Sequence, residues 1–185
     1  MTRFRSGALR GAVAEIAGLC ALPIGKRDNK LMRLSARVDY ALRAAAELAV
    51  ADNQPVTAVQ LAEAQKIPPK FLENILGQLR RSGIIRSQRG PDGGYWLARS
   101  AEQISLADII RAIDGPLVGV RGERPEHVGY SGAASSLQEV WIALRVSERS
   151  ILEQVTLAHI AAGELPPAVH KLTENPEAWE SPALR

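Results

Sequence analysis

Between residues 69 and 82 the chain reads "PKFLENILGQLRRS". Phe71, Leu72, Ile75, Leu76 and Leu79 fall on one face at helical spacing and are expected to form a buried stripe. Lys70, Glu73, Asn74 and Gln78 then face outward, and these are side chains that a DNA groove can use. Asn74 can bond an adenine edge in two places, Glu73 can accept from a cytosine amino group, and Lys70 and Gln78 can reach bases or phosphate. The early residues of such a helix do the reading. Lys70, Phe71, Glu73 and Asn74 are therefore the expected base-reading set, with Arg37, Thr57, Gln78 and Arg81 on the DNA backbone. Taken singly, each polar residue reads equally well as solvated surface; the reading rests on their spacing together.

A second stretch, "RSQRGPDGGYWLARS" (86–100), interrupts a chain otherwise rich in alanine and leucine. Ile84–Ser87 and Tyr95–Ala98 are expected to pair as a hairpin around a glycine-rich tip. Gly90, Gly93 and Gly94 are expected to permit positive φ and a close approach of the backbone to another surface. Arg89, beside Gly90, sits where an arginine can enter a narrow minor groove. A nucleotide-phosphate loop is the other reading of such glycines. It lacks the following Lys-Ser/Thr and the helix start that this chemistry needs.

The elements that must position these residues are signalled locally. Ser35 is placed to cap a helix running to about Ala51, with Val38, Leu42, Ala45, Leu48 and Ala49 on one face. Thr57-Ala58-Val59-Gln60 forms a capping box that starts a short helix with Leu61 and Ala62 buried. Pro68 and Pro69 are tolerated only at the start of the next helix, and Gly83 is placed to end it. Two short helices around a tight turn have helix-turn-helix spacing. With the hairpin they predict a winged helix, mainly α with a small β-hairpin wing.

Downstream, Ser105 caps "LADIIRAID" and Gly115 ends it. Residues 115–132 hold five glycines and two prolines without periodicity, which reads as a loop. A long helix is expected from about Ser135 to Gln154, with Leu137, Val140, Trp141, Leu144 and Ile151 on one stripe. Its isolated position favours packing against a second chain; the alternative is that it folds back on its own domain. Thr156 caps a last short helix, "LAHIAAG". The patterns "ISLADII" and "VTLAHIA" resemble each other, a likeness ascribed to shared helix grammar rather than duplication. The expected organisation is a poorly ordered basic extension (1–31), a DNA-binding domain (32–117), a loop (118–132), a dimerisation helix with a short helix (133–165) and a mobile tail (166–185).

Composition sets limits on function. Residues 1–31 carry six basic and two acidic residues, 32–99 carry ten and six, and 100–185 carry seven and twelve. A basic middle beside an acidic C-terminal half fits a surface built for a polyanion. Aromatic residues make up 4%, which favours Ala/Leu helices over a β-sandwich. No apolar run approaches the ~18 residues of a membrane helix. Arg10 and Glu15 interrupt the N-terminal apolar stretch that superficially resembles a signal peptide, and Met32 stands as an alternative start. One cysteine, Cys20, excludes a disulfide framework and a cysteine-based zinc site, and it fits a reducing cytoplasm. The three histidines, His127, His159 and His170, all lie in the acidic half, and no credible Ser-His-Asp, Cys-His or paired-carboxylate set accompanies them, so no enzyme is expected.

"MRLSARVDYALRAAAELAV", "PVTAVQLAEAQKIPPKFLENILGQLRRSGII", "RGPDGGYWLA" and "ISLADIIRAIDGPL" together resemble the Rrf-two family of bacterial regulators, the IscR/NsrR/CymR type. The resemblance runs from Met32 to about Gly163, strongest over 32–117. It implies a homodimeric winged-helix transcription factor joined through the long C-terminal helix, its recognition helix in the major groove and its wing in the minor groove of a pseudo-palindromic operator. By motif position it puts base-reading on Lys70, Phe71, Glu73 and Asn74 and the minor-groove contact on Arg89. Many members hold an iron–sulfur cluster through three cysteines in the loop before that helix. Here the loop "GPLVGVRGERPEHVGYSGAAS" has none, and His127 with Glu123 and Glu126 is a poor substitute for thiolates. The expectation is a repressor without cluster, metal or cofactor, answering to another effector or a partner protein. The alternative is a winged-helix protein-interaction module that does not read DNA sequence.

Overall fold

A computed structural model describes residues 34–117 and 119–180. Helix α1 (Ala36–Val50) starts where the Ser35 side chain accepts from the Val38 N–H. Helix α2 (Ala58–Gln65) starts on the Thr57–Gln60 capping box and ends at Lys66 in the left-handed conformation. Helix α3 (Pro69–Arg81) begins on the two prolines, and Gly83 just beyond it has φ +70°. Side-chain caps satisfy orphan amides at the starts of α1 and α2, and α3 starts on prolines without a side-chain cap, so these boundaries follow the sequence closely.

Val38, Ala41, Ala44, Ala45 and Leu48 bury one side of α1 against Leu61 of α2 and against Leu72, Ile75, Leu76 and Leu79 of α3. Small residues on α1 let the neighbouring helices approach closely. Arg43 fixes the α1–α2 angle: its guanidinium donates to the Gln65 side chain at 3.0 Å and to the Gln65 carbonyl, while Gln65 donates to Glu47.

Strands β1 (Ile85–Gln88) and β2 (Gly94–Leu97) pair antiparallel, with Ile85 opposite Leu97 and Arg86 opposite Trp96. Ile85 and Leu97 are buried and anchor the wing to the core. What the sequence conceals is a single bridge from a third segment to this hairpin. Val56 bridges Tyr95, with N–H to O contacts of 3.0 and 2.8 Å in the two directions. The residue before α2 thus borders the wing.

The glycines of the wing have different reasons from those expected. Only Gly90 has positive φ, +119°. A Cβ on Gly93 would stand 2.4 Å from the Gln88 carbonyl oxygen, and one on Gly94 would stand 2.9 Å from the Val56 oxygen. The close approach is to the chain itself rather than to a partner. Gly94→Ala is therefore expected to open the Val56–Tyr95 bridge and destabilise the domain by about 1–3 kcal/mol, the range for forced overpacking, measured by chemical denaturation.

Helix α4 (Leu106–Asp114) starts on a Ser105–Asp108 capping box and ends at Gly115, φ +86°. Helix α5 (Leu137–Leu152) is followed by α6 (Leu157–Ala162), which starts on a Thr156–His159 capping box, and by α7 (Pro167–Thr173). The likeness of "ISLADII" and "VTLAHIA" has a structural counterpart. The Leu106 N–H donates to the Val155 carbonyl and the Leu157 N–H to the Ile104 carbonyl, both at 2.9 Å, so the two N-caps pair as a bridge. Leu157 is fully buried in the core.

Within residues 133–165, α6 returns to α1 while α5 buries none of its residues. The tail forms α7 and a 3₁₀ turn (Pro176–Trp179), tied by the Trp179 indole N–H to the Thr173 carbonyl at 2.9 Å. The expected extension, residues 1–31, lies outside the described residues.

Candidate nucleic-acid interface

Leu72, Ile75, Leu76 and Leu79 turn inward on α3, which leaves the opposite face to solvent. Lys70, Phe71, Glu73 and Asn74 are all exposed there. Phe71 departs from the expected buried stripe. It is 55% exposed, because it sits at the edge of the stripe where no neighbouring helix covers it. An uncovered phenyl ring among polar side chains is suited to the apolar methyl of thymine. The Asn74 amide donates to the Lys70 carbonyl at 3.4 Å, a long contact that can be exchanged for a base edge.

The structure brings Arg37, Phe71, Asn74, Gln78 and Arg81 around one shallow notch of about 270 Å³. Arg37, from α1, donates to the Gln78 side-chain oxygen, which fixes both on the rim. Thr57 lies apart, at the start of α2. Its hydroxyl donates to the Gln60 side chain at 2.9 Å and accepts from the Gln60 N–H at 3.2 Å, so it already serves as a cap.

Arg89 is exposed at the wing and forms no ion pair among the described residues. The Gly93 N–H donates to the Gly90 carbonyl at 3.1 Å, which closes a Gly-Pro-Asp-Gly turn beside it. Sequence reasoning passes over Arg86 and Arg99, and it expects Arg80, like Arg81, to touch the DNA backbone or solvent rather than bases. Arg80, Arg86 and Arg99 surround Trp96 on the flank of the wing. Strand alternation marks Arg86 and Trp96 as outward, but only the register shows them opposite each other.

This arrangement is a helix-turn-helix with a wing, and a profile of the Rrf2 family, described as an iron-dependent transcriptional regulator, matches residues 34–163. The chain belongs to the Rrf2 family. It is 48% identical over 151 residues to an HTH-type transcriptional regulator of Mycobacterium tuberculosis, covering 81% of this chain and 94% of that one. It is 33% identical over 141 residues to the HTH-type transcriptional regulator IscR of Cereibacter sphaeroides, covering 74% and 91%. The solved structure of CymR, the global cysteine regulator of B. subtilis, superposes with a TM-score of 0.62 at 28% identity, covering 72% of this chain and 98% of that one. The structure of T. potens IscR gives 0.58 at 28% identity, covering 71% and 88%. This Rrf2 protein is a DNA-binding transcriptional regulator with a winged-helix fold and not an enzyme.

The family's description names iron, which requires a suitable donor set. The loop over 115–132 holds no cysteine. Cys20 lies outside the described residues. Among the described residues no three His, Cys, Asp or Glu side chains converge as metal ligands. The nearest candidates are engaged or turned out: His127 is exposed, and Glu126 pairs with Arg145 of α5. Iron held by such a loop needs thiolates or a mixed set, and these residues do not fit it.

What the loop does have is a set of contacts to α5. Pro125 and Val128 are buried, and the Gln138 amide donates to the carbonyls of Pro125 and Glu126, both at 3.2 Å. The Trp141 indole N–H donates to the Tyr130 hydroxyl at 2.9 Å, and Arg121 stands over the Tyr130 ring. The loop therefore has its own 3₁₀ turns and packing, where the sequence predicts irregular chain.

Its own backbone N–H, and then Arg145, hold the Glu126 carboxyl below the usual carboxylate range. A depressed carboxylate supports the folded state above its unfolded pKa and loses that support as pH falls through its folded pKa. Amide protection factors at residues 126–128 are therefore expected to fall only in acid below the ordinary carboxylate range. Glu126→Gln should remove that acid dependence; an unchanged acid response would show that Glu126 does not hold the loop.

Proposed function

We propose that this protein is a repressor that binds a pseudo-palindromic operator as a homodimer, without an iron–sulfur cluster. Lys70, Phe71, Glu73 and Asn74 of α3 read bases in the major groove. Arg89, with Gly90 at its side, enters the minor groove. Arg37, Gln78 and Arg81, with Thr57 at the start of α2, position the protein on the sugar–phosphate backbone. The observation that carries this reading is the exposed polar face of α3 beside an unpaired wing arginine, in a chain of this family.

The dimer rests on α5. Val140 and Val146 are 53% and 58% exposed, Leu137 is exposed, and Trp141, Leu144 and Ile151 are only half-buried within one chain. A sixteen-residue helix with no buried residue and an apolar stripe is stabilised by a second copy of itself. Two copies related by a two-fold axis then present two α3 helices to half-sites one helical turn, or a multiple of it, apart.

The absence of cysteine from the loop, and of a converging donor set among the described residues, supports the cluster-free state. The signal is then an effector or partner protein. We place the protein in the cytoplasm, on the chromosome, as a DNA-binding regulator of this family requires.

DNase footprinting on the region upstream of its own gene tests the reading. Two protected, symmetry-related half-sites are expected, with transcription from that promoter reduced on addition of the protein. Uniform or absent protection would contradict it.

A further inference from the structure

The flank of the wing carries a cationic surface that the reading face does not account for. Arg80 lies in the last turn of α3, and its guanidinium approaches the Ser87 hydroxyl at 3.4 Å. Arg86 stands directly across from Trp96 in the hairpin, and Arg99 follows β2. Together with Trp96 they line an open depression of about 570 Å³.

Charge at this surface is largely uncompensated. Asp108 reaches Arg99 at 3.6 Å but is shared with Arg111 at 3.9 Å. Arg80 and Arg86 form no ion pair among the described residues. Three guanidinium forks match phosphate oxygens in geometry as well as charge. Small-molecule sites enclose most of their ligand, which this open trough does not do. An open trough lined by arginines suits a polymer passing through instead, with its backbone phosphates on the guanidinium forks. The trough is also continuous with the wing.

We propose that Arg80, Arg86 and Arg99, around Trp96, hold backbone phosphates of duplex DNA beyond the segment contacted by α3 and Arg89. The bound length of the operator then extends past the wing on each side. This rests on the DNA-reading proposal and adds a second, sequence-independent grip to it.

The test uses the full chain and two duplexes that carry the same half-sites, one ending at the wing contact and one extended by about one helical turn, ~10 bp. The wild-type protein is expected to bind the extended duplex about tenfold more tightly. Arg86→Gln/Arg99→Gln, with its thermal midpoint checked against wild type, should lose that preference. Its salt slope should fall by about 2, near 0.9 for each phosphate no longer neutralised.

Equal affinity of the wild-type protein for both duplexes, with sequence preference intact, overturns the flank assignment and leaves the reading face standing. Saturable binding of inorganic phosphate that shifts tryptophan emission, without flank dependence, makes the trough a small-anion site and also overturns it. Absence of any sequence preference in the wild-type protein overturns the reading proposal, and it overturns the flank assignment as well where the preference for the extended duplex is also absent.

Discussion

Val140→Asp is expected to convert the protein to monomers and to weaken operator binding by about 10²- to 10⁴-fold, the range by which linked sites exceed single ones. The expectation follows from what α5 leaves uncovered. Val140 is 53% exposed within one chain, and no residue of α5 is buried. A carboxylate there costs the single chain little, because the site is already in water. In the proposed dimer the same carboxylate is desolvated in the helix–helix seam, and a buried unpaired charge costs several kcal/mol. Each monomer retains α3 and the wing, so half-site binding survives while the linkage is broken. Sedimentation shows the oligomeric state, and fluorescence anisotropy on the operator reads the affinity. A Val140→Asp protein that stays dimeric and binds as before would mean that α5 is not the joint.

Arg89→Ala is expected to cost about 1–3 kcal/mol of specific binding, which is roughly 5- to 150-fold in Kd. Arg89 makes no ion pair among the described residues, so its removal takes nothing from the fold. The turn that presents it is closed by the Gly93 N–H on the Gly90 carbonyl and stays closed in the variant. An arginine in a narrow minor groove gains from the enhanced negative potential there. Its loss is therefore expected to fall more heavily on A-tract flanks than on G·C-rich ones. Competition gel shifts with the two flank types separate this from the loss of one general charge. Equal and small effects on both would remove Arg89 from the groove.

Much of the fold is legible because its signals are local. Ser35, the Thr57–Gln60 box, the Pro68–Pro69 start and Gly83 each fix a helix end through atoms a few residues away. What stays hidden depends on residues distant in sequence. The Val56–Tyr95 bridge joins the start of α2 to the wing, and no pattern within either stretch announces it. The pairing of Ser105 with Thr156 is of the same kind: two like caps are visible, but not that they meet.

The candidate site is legible in outline and less so in its parts. Periodicity assigns Phe71 to the buried stripe because it is apolar and borders Leu72, whereas exposure depends on whether a neighbouring helix covers it. Gly93 and Gly94 read in sequence as freedom to approach a partner, and the clashes with Gln88 and Val56 show that the hairpin itself requires them. Arg86 and Arg99 give no signal at all, since isolated arginines look like ordinary solvated surface until the register sets Arg86 opposite Trp96 and the chain after β2 brings Arg99 to the same depression.

A regulator of this kind must distinguish one DNA sequence from others. That ability is read from the ratio of its dissociation constants for the footprinted operator and for a scrambled duplex of equal length, at one fixed physiological salt concentration. A ratio of about 10³ or more is expected, the lower end for specific recognition. A ratio near unity, with both affinities falling equally as salt rises, would contradict sequence-specific reading by α3 and the wing.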